Sequence, residues 1–237
     1  MPASTMTKRL TISLLFAVFG GLALAASAFG VRAVGIYANN MDSVGKRKQI
    51  AKVTGRSCER GGSTRAFKVQ VGKRTQECIY RTPVIGRDIE VSATARLLSG
   101  TPRDMRKRTF VALDVRTGGG GKYQLAVFPR LRKYQLRKDS PGGTRKFLAI
   151  GKHIKRIHGI NQANLLRLRA FNREDTQAKG DVRLTVFIGG KRQAVVTDPS
   201  GAELQGRFSG FSIGSGKNAT GAVGSFDDVG VRVPSPF

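Results

Sequence analysis

The stretch RDIEVSATARLLSG, residues 87–100, decides the fold class. Ile89, Val91, Ala93, Ala95 and Leu97 alternate with Asp88, Glu90, Ser92, Thr94 and Arg96. Successive side chains of an extended chain point to opposite faces, so this spacing buries one face and wets the other. A helix would scatter the same apolar residues around its circumference. The segment therefore reads as a half-buried antiparallel strand.

The same signal continues outward from it. In RTFVALDVRTGGGGKYQLAVF, residues 108–128, a strand runs into a glycine reversal at Gly118–Gly121 and returns with Tyr123, Leu125 and Val127 in phase. That is a hairpin. FIGGKRQAVV, residues 187–196, gives a second, with Gly189 and Gly190 free to take the positive φ that a tight reversal needs. About a dozen strand-length runs follow residue 56, and helical periodicity is nearly absent there; only KHIKRIHGINQANL, residues 152–165, suits a turn or two. So many antiparallel strands need two stacked sheets or a closed barrel to cover their apolar faces, and the length suits a sandwich.

The N-terminal end has a different composition. Lys8 and Arg9 precede an uncharged, mostly apolar run from Leu10 to Val31. As a helix it would rise roughly 33 Å, enough to cross a membrane. Residues 1–32 are thus read as a membrane anchor with a cytoplasmic N-terminus, or as a signal segment cut near Ala26, Ser27 and Ala28. Either way the remainder is exported: a single-pass membrane protein with its domain outside, or a secreted one. Residues 33–56 read as a linker with room for a short helix, and residues 57–237 as the domain. The two cysteines, Cys58 and Cys78, suit an oxidising compartment and are read as a disulfide, the alternative being two separate buried thiols.

Charge narrows the partners. Lysine and arginine number 42 against 15 acidic residues, a formal net charge of +27, and only Lys8, Arg9 and Arg32 of that excess fall in the first segment. Such a field attracts anionic polymers and surfaces. Arg130, Arg132, Lys133, Tyr134, Arg137, Lys138, Lys155 and Arg156 form the densest run and are the candidate ligand-binding residues. In RLRKYQLRK, residues 130–138, a regular strand would put Arg130, Arg132, Tyr134, Leu136 and Lys138 on one face, with Tyr123 and Tyr134 as candidate exposed aromatics. Nucleic acid is scarce outside a membrane, so the expected partners are anionic envelope polymer, glycan or lipid headgroups.

The order NLLRLRAF, VRLTVFIGGKRQAVVTD, GRFSGFSIGSG, GSFDDVGVRV over residues 164–233 resembles the C-terminal half of concanavalin A-like lectin and glucanase domains, the laminin G-like jelly rolls. Gly189 stands where such domains often carry asparagine. The resemblance implies an all-β, antiparallel jelly-roll β-sandwich; the leading role is a non-enzymatic extracytoplasmic domain contacting anionic envelope polymer, glycan or lipid headgroups, with a glucanase-like carbohydrate-active enzyme as the alternative. A chain with no tryptophan and four tyrosines disfavours a neutral-glycan lectin. The Glu-x-Asp-x-x-Glu arrangement of the glucanases is missing from the chain. Asp88 and Glu90 share a strand face, but plain alternation on a wet face produces such pairs, and no catalytic residue is assigned. IGSGK, residues 213–217, lacks the full phosphate-loop pattern, and His153 and His158 sit in a solvated basic segment. No cofactor and no metal site is assigned. Asp227 and Asp228, in SFDDVGVRV, are read as structural carboxylates on opposite strand faces, satisfied by backbone amides or arginines, with a structural calcium as the other reading.

Overall fold

The computed structural model describes residues 33–54, 57–63, 66–172, 180–200, 204–215 and 218–235. The segment 1–32, read as an anchor or signal, lies outside the described residues. Among those described, no helix is long and apolar enough to cross a membrane.

The strands are β1 (Ala33–Asn39), β2 (Ala51–Thr54), β3 (Cys58–Ser63), β4 (Ala66–Val71), β5 (Glu77–Ile85), β6 (Ile89–Leu97), β7 (Thr109–Gly118) and β8 (Gly121–Phe128). They continue as β9 (Lys133–Asp139), β10 (Arg145–Gly151), β11 (Asn164–Asn172), β12 (Val182–Ile188), β13 (Lys191–Asp198), β14 (Phe208–Ser215) and β15 (Val223–Pro234). Among the described residues one short helix, α1 (Val44–Lys48), and a single 3-10 turn, Pro129–Leu131, complete the elements. An eight-stranded sheet runs β13-β12-β11-β6-β15-β4-β3, with β1 also on β15; a seven-stranded sheet runs β10-β9-β8-β7-β14-β5-β2. All pairings are antiparallel. The chain changes sheet repeatedly, as from β5 to β6 to β7 and from β13 to β14 to β15, so the fold is a jelly-roll β-sandwich.

The alternation in β6 holds: Ile89, Val91, Ala93, Ala95 and Leu97 are all buried in the layer between the sheets. Phe67, Tyr80, Phe211 and Phe226 pack there with ring centroids 4.3 to 5.9 Å apart, joining β4 and β15 of one sheet to β5 and β14 of the other. Edge-to-face and offset contacts of this kind add to the area they bury. Cys58 on β3 and Cys78 on β5 form a disulfide that ties the edge of the eight-stranded sheet to the seven-stranded one. In the chain-entropy account, closing this loop contributes about 3 kcal/mol.

Two expectations need correction. The described part of the expected linker 33–56, residues 33–54, belongs to the sandwich: β1 pairs with β15, β2 pairs with β5, and Met41 and Ile50 are buried in the core. The strand signal is weak there because β1 is an edge strand whose Val34 and Ile36 stay about half exposed. Short α1 starts at Ser43, whose Oγ accepts from the Lys46 amide.

The paired aspartates do not point to opposite faces. A register shift between Asp227 and Gly230 and a left-handed φ of 48° at Asp228 mark a bulge in β15. The extra residue resets the alternation, so Phe226 and Val229 both face the core while the two carboxylates stay out of it. The bulge falls where β15 changes neighbour, from β4 at Val223–Phe226 to β1 from Val229 onward. Asp228 donates its amide to Asp227 Oδ1 at 2.9 Å, and Thr94 donates to Asp228 Oδ2 at 3.3 Å. Burial holds the Asp227 carboxyl above its usual range despite that amide.

Candidate functional site

The polar residues that gather are on the outer face of the seven-stranded sheet. Glu77 on β5, Asp114 on β7, Lys122 and Gln124 on β8, Gln135 and Arg137 on β9, and Ser212 on β14 all point away from the core. The shared face follows from pairing: Asp114 lies opposite Gln124, Gln124 opposite Arg137, and Arg137 opposite Phe147 of β10. Ala112, Ala126, Gly210 and Gly214 on the same face leave room for the longer side chains. A side chain at Gly210 would collide with the Tyr80 carbonyl oxygen.

Lys122 Nζ is the hinge of the cluster, 2.8 Å from Glu77 Oε1 and 3.1 Å from Asp114 Oδ1. Gln124 Nε2 donates to the same two oxygens at 2.5 and 2.9 Å and to Ser212 Oγ at 3.1 Å. Arg137 Nη1 donates to Gln124 Oε1 at 3.2 Å, and its Nε and Nη2 donate to Gln135 Oε1. The two carboxyls diverge in acidity. Burial pushes Glu77 up, but the Lys122 charge and the donors around it prevail and leave it below its usual range. Burial pushes Asp114 up, Glu77 adds to that, and Lys122 does not offset it. Asp114 Oδ2 is buried without a hydrogen-bond partner among the described residues, which adds to the cost of its charged form. Lys122, lowered by burial but flanked by both carboxyls, ends above its usual value.

Arg137 forms the bridge to an apolar rim. Its guanidinium lies 4.8 Å from the Phe110 ring, 5.4 Å from Phe128 and 5.9 Å from Phe147. Burial, and after it the neighbouring Arg145 charge, lower its pKa to about 10, so it stays charged at neutral pH. Phe147 is 50% exposed and Ile150 48%, on the edge strand β10, beside the Arg145–Asp139 ion pair at 2.6 Å. The face thus combines a fixed polar floor with an exposed aromatic at its margin.

The residues singled out from the sequence divide. Arg130, Arg132, Lys155 and Arg156 are exposed and Lys133 is partly so, its ammonium 5.8 Å from the Phe128 ring. Arg137 and Lys138 are buried in ion and hydrogen-bond networks, and Tyr134 is buried in the core. The expected regular strand from Arg130 to Lys138 is interrupted by the 3-10 turn and by Arg132 at φ 46°, so Arg130 and Arg132 do not share a face with Tyr134, Leu136 and Lys138. Lys138 instead meets Asp198 at 3.0 Å, and Tyr123 donates to Asp198 Oδ2 at 2.6 Å. Burial raises that carboxyl, but its three donors, Tyr123, Lys138 and Ser200, hold it below the usual range. Tyr123 and Tyr134 are therefore inward, not exposed: Tyr134 packs flat against Gly151, where any Cβ would strike its ring.

Asp88 and Glu90 go separate ways. Asp88 Oδ1 accepts from Arg116 at 3.0 Å and from the Asn172 amide at 2.8 Å. Glu90, 1% exposed, sits in a row across the eight-stranded sheet between Arg169 of β11 at 2.7 Å and Arg232 of β15 at 3.5 Å, with Arg167 also at 3.5 Å. Among the described residues no group of three or more His, Cys, Asp or Glu could hold a metal ion. His153 and His158 are exposed loop residues. Glu77, Asp114, Lys122 and Gln124 escaped the sequence reading, although an aspartate inside FVALDV and a glutamine inside KYQLAV are polar interruptions of otherwise apolar strands.

No family model matches the chain, and no curated protein does. Solved structures do. A protein of unknown function with a galectin-like fold from Bacillus subtilis aligns with a TM-score of 0.57 at 13% identity, over 85% of this chain and 98% of that one. The carbohydrate-binding module CBM66 from Bacillus subtilis aligns with a TM-score of 0.52 at 14% identity, over 76% and 93%. The carbohydrate recognition domain of Emp46p, potassium-bound, aligns with a TM-score of 0.55 at 10% identity, over 82% and 95%. At these identities the likeness is one of fold: the jelly roll read from the strand order of residues 164–233 is the fold of the chain.

Proposed function

We propose that the chain is a glycan-binding domain, exported and held at the cell membrane by its N-terminal segment, that takes an acidic glycan of the cell envelope on the outer face of the seven-stranded sheet. The observation that carries this reading is Arg137, fixed by Gln124 and Gln135 and ringed by Phe110, Phe128 and Phe147, with Phe147 half exposed at the edge. Sugar rings present apolar faces to aromatics and hydroxyls to polar groups, and the exposed margin of the face offers both in Phe147 and the Arg145–Asp139 pair, with Arg137 buried behind them. The net charge of +27 favours an acidic polymer over a neutral one. Two of the similar structures are a carbohydrate-binding module and a carbohydrate recognition domain, which supports the same direction. The apolar run after Lys8 and Arg9 and the Cys58–Cys78 disulfide support export.

The test is titration of the full chain in detergent with a polyuronate, a neutral glucan and anionic lipid vesicles. The polyuronate should bind, more weakly as salt rises, and Phe147→Ala should weaken it about tenfold. Preference for the neutral glucan, or binding to vesicles alone, would overturn the reading.

A second reading has its own observation. Glu77 and Asp114, on one ammonium and with acidities driven apart, are what a carbohydrate-active enzyme needs of an acid and a base. Binding stands first because Asp114 is fully shut from solvent. Polysaccharide cleavage by the full chain that disappears in Asp114→Asn would reverse that order.

A further inference from the structure

Away from the sheet face, three loops meet at one end of the sandwich. The β6–β7 loop carries Arg103 and Arg106, the turn between β8 and β9 carries Arg130, and the β10–β11 loop carries Ile160. These four residues line a cleft of about 290 Å³. Among the described residues no carboxylate lines it. The nearest acid in sequence, Asp104, leans toward Arg108 at 3.7 Å and is largely exposed.

The walls are fastened before any ligand arrives. Arg106 donates from Nε to the Thr101 carbonyl at 2.9 Å and from Nη2 to the Ser99 carbonyl at 2.6 Å. Thr101 is in turn locked to β15: its hydroxyl donates to the Val223 carbonyl at 3.1 Å and accepts from the Val223 amide at 2.9 Å. Asn161, beside Ile160, donates its amide to the Leu97 carbonyl and accepts from the Ser99 amide, both at 2.8 Å. Ile154 of the same loop donates to the Arg132 carbonyl at 2.9 Å, which ties it to the Arg130 turn. The frame holds Arg106, and Arg103 and Arg130 bring two more like charges to the same recess, where they repel one another until an anion enters.

We propose that this cleft is a binding site for a tetrahedral oxyanion, a sulfate or phosphate ester carried on a larger ligand. A carboxylate is matched by a single guanidinium fork, whereas three guanidiniums from two separate loops suit an oxyanion with acceptors on every side. Ile160 offers an apolar wall for the carbon skeleton bearing the ester. The cleft shares no residue with the sheet-face site, so this inference stands apart from the glycan reading.

The experiment is calorimetric titration of the full chain with inorganic sulfate, inorganic phosphate, glucose 6-sulfate, glucose 6-phosphate and acetate. Saturable one-to-one binding of the tetrahedral anions is expected, with acetate at least about tenfold weaker. Arg103→Gln and Arg130→Gln, both exposed and without structural partners to lose in the loop frame, should each weaken binding about tenfold. Lys107→Gln and Arg108→Gln remove equal charge from the same loop outside the cleft and should leave it unchanged. Tighter binding of the sulfate ester or of the phosphate ester supports the site and tells which polymer chemistry it serves. Equal losses in all four variants, acetate binding as tightly as sulfate, or no saturable binding by a chain with native circular dichroism would overturn the proposal. Polyuronate binding and its loss in Phe147→Ala would persist in each of those cases, so the two readings fail separately.

Discussion

The two outer faces of the sandwich use charge in different ways. On the seven-stranded sheet one lysine, Lys122, serves two carboxyls, and Gln124 joins both of them to Ser212 at hydrogen-bond distance. On the eight-stranded sheet one carboxylate, Glu90, serves three arginines, two of them stacked on rings: Arg167 lies 3.9 Å from Phe187 and Arg169 5.0 Å from Phe171. The first arrangement is closed and buried, so its energetics are set inside the protein. The second is open on one side, with Arg232 half exposed, so solvent and salt share in it. A chain of net charge +27 can therefore carry buried carboxylates and still present a cationic exterior.

Lys122→Met tests the closed face most severely. It would leave Glu77 and Asp114 facing each other in a buried site without their shared cation. Breaking a buried ion pair from one side costs about 3–5 kcal/mol, and urea denaturation should show a loss of that size. A loss under about 1 kcal/mol would mean that water reaches the cluster and that the two faces are alike.

Glu90→Gln tests the open face. Three arginines would lose their common anion, but their partial exposure and their ring contacts temper the repulsion. A loss of about 2 kcal/mol at low salt is expected, shrinking as salt is added, whereas the Lys122→Met loss should be nearly independent of salt. If both respond equally to salt, the contrast between the faces fails.

Much of this was readable from the residues, and the limit is instructive. Alternation in Ile89–Leu97 places each side chain on its correct face because the period of a strand is local. The partners of Glu90 are not local: Arg169 is 79 residues away and reaches it only because β11 pairs with β6 in one register. Likewise Glu77 and Lys122 are 45 residues apart. The basic run 130–156 was visible as composition, yet one 3-10 turn at Pro129–Leu131 sends Tyr134 and Lys138 inward and leaves Arg130 at the cleft. A residue count cannot register that inversion. The bulge at Asp227 and Asp228 is of the same kind, since one inserted residue reverses every later side chain.

Acid titration separates the two carboxyls of the closed face. Glu77 has a lowered folded pKa, so its stabilisation is present above its unfolded value, about 4.3, and is lost as pH falls through the folded one. Asp114 has a raised folded pKa, so it binds its proton more tightly when folded, and stability declines as pH rises from about 3.9 toward that value. Glu77→Gln should flatten the acid limb of the stability profile, and Asp114→Asn the decline above it. If both substitutions flatten the same limb, the divergence between the pair is not real.

The smallest effect belongs to a charge outside either network. Asp228 occupies the left-handed region at φ 48°, is exposed, and receives only a 3.3 Å bond from Thr94. Left-handed backbone costs a residue with a Cβ up to about 1–2 kcal/mol, less for aspartate, and glycine escapes that cost. Asp228→Gly should therefore stabilise the chain by up to about 1 kcal/mol, measured by thermal unfolding, because relief of the backbone exceeds the worth of an exposed hydrogen bond. A clear loss instead would mean that the Asp228 carboxylate holds the bulge at the junction of β4 and β1, and that a single exposed carboxylate can matter as much as those buried on the outer face of the other sheet.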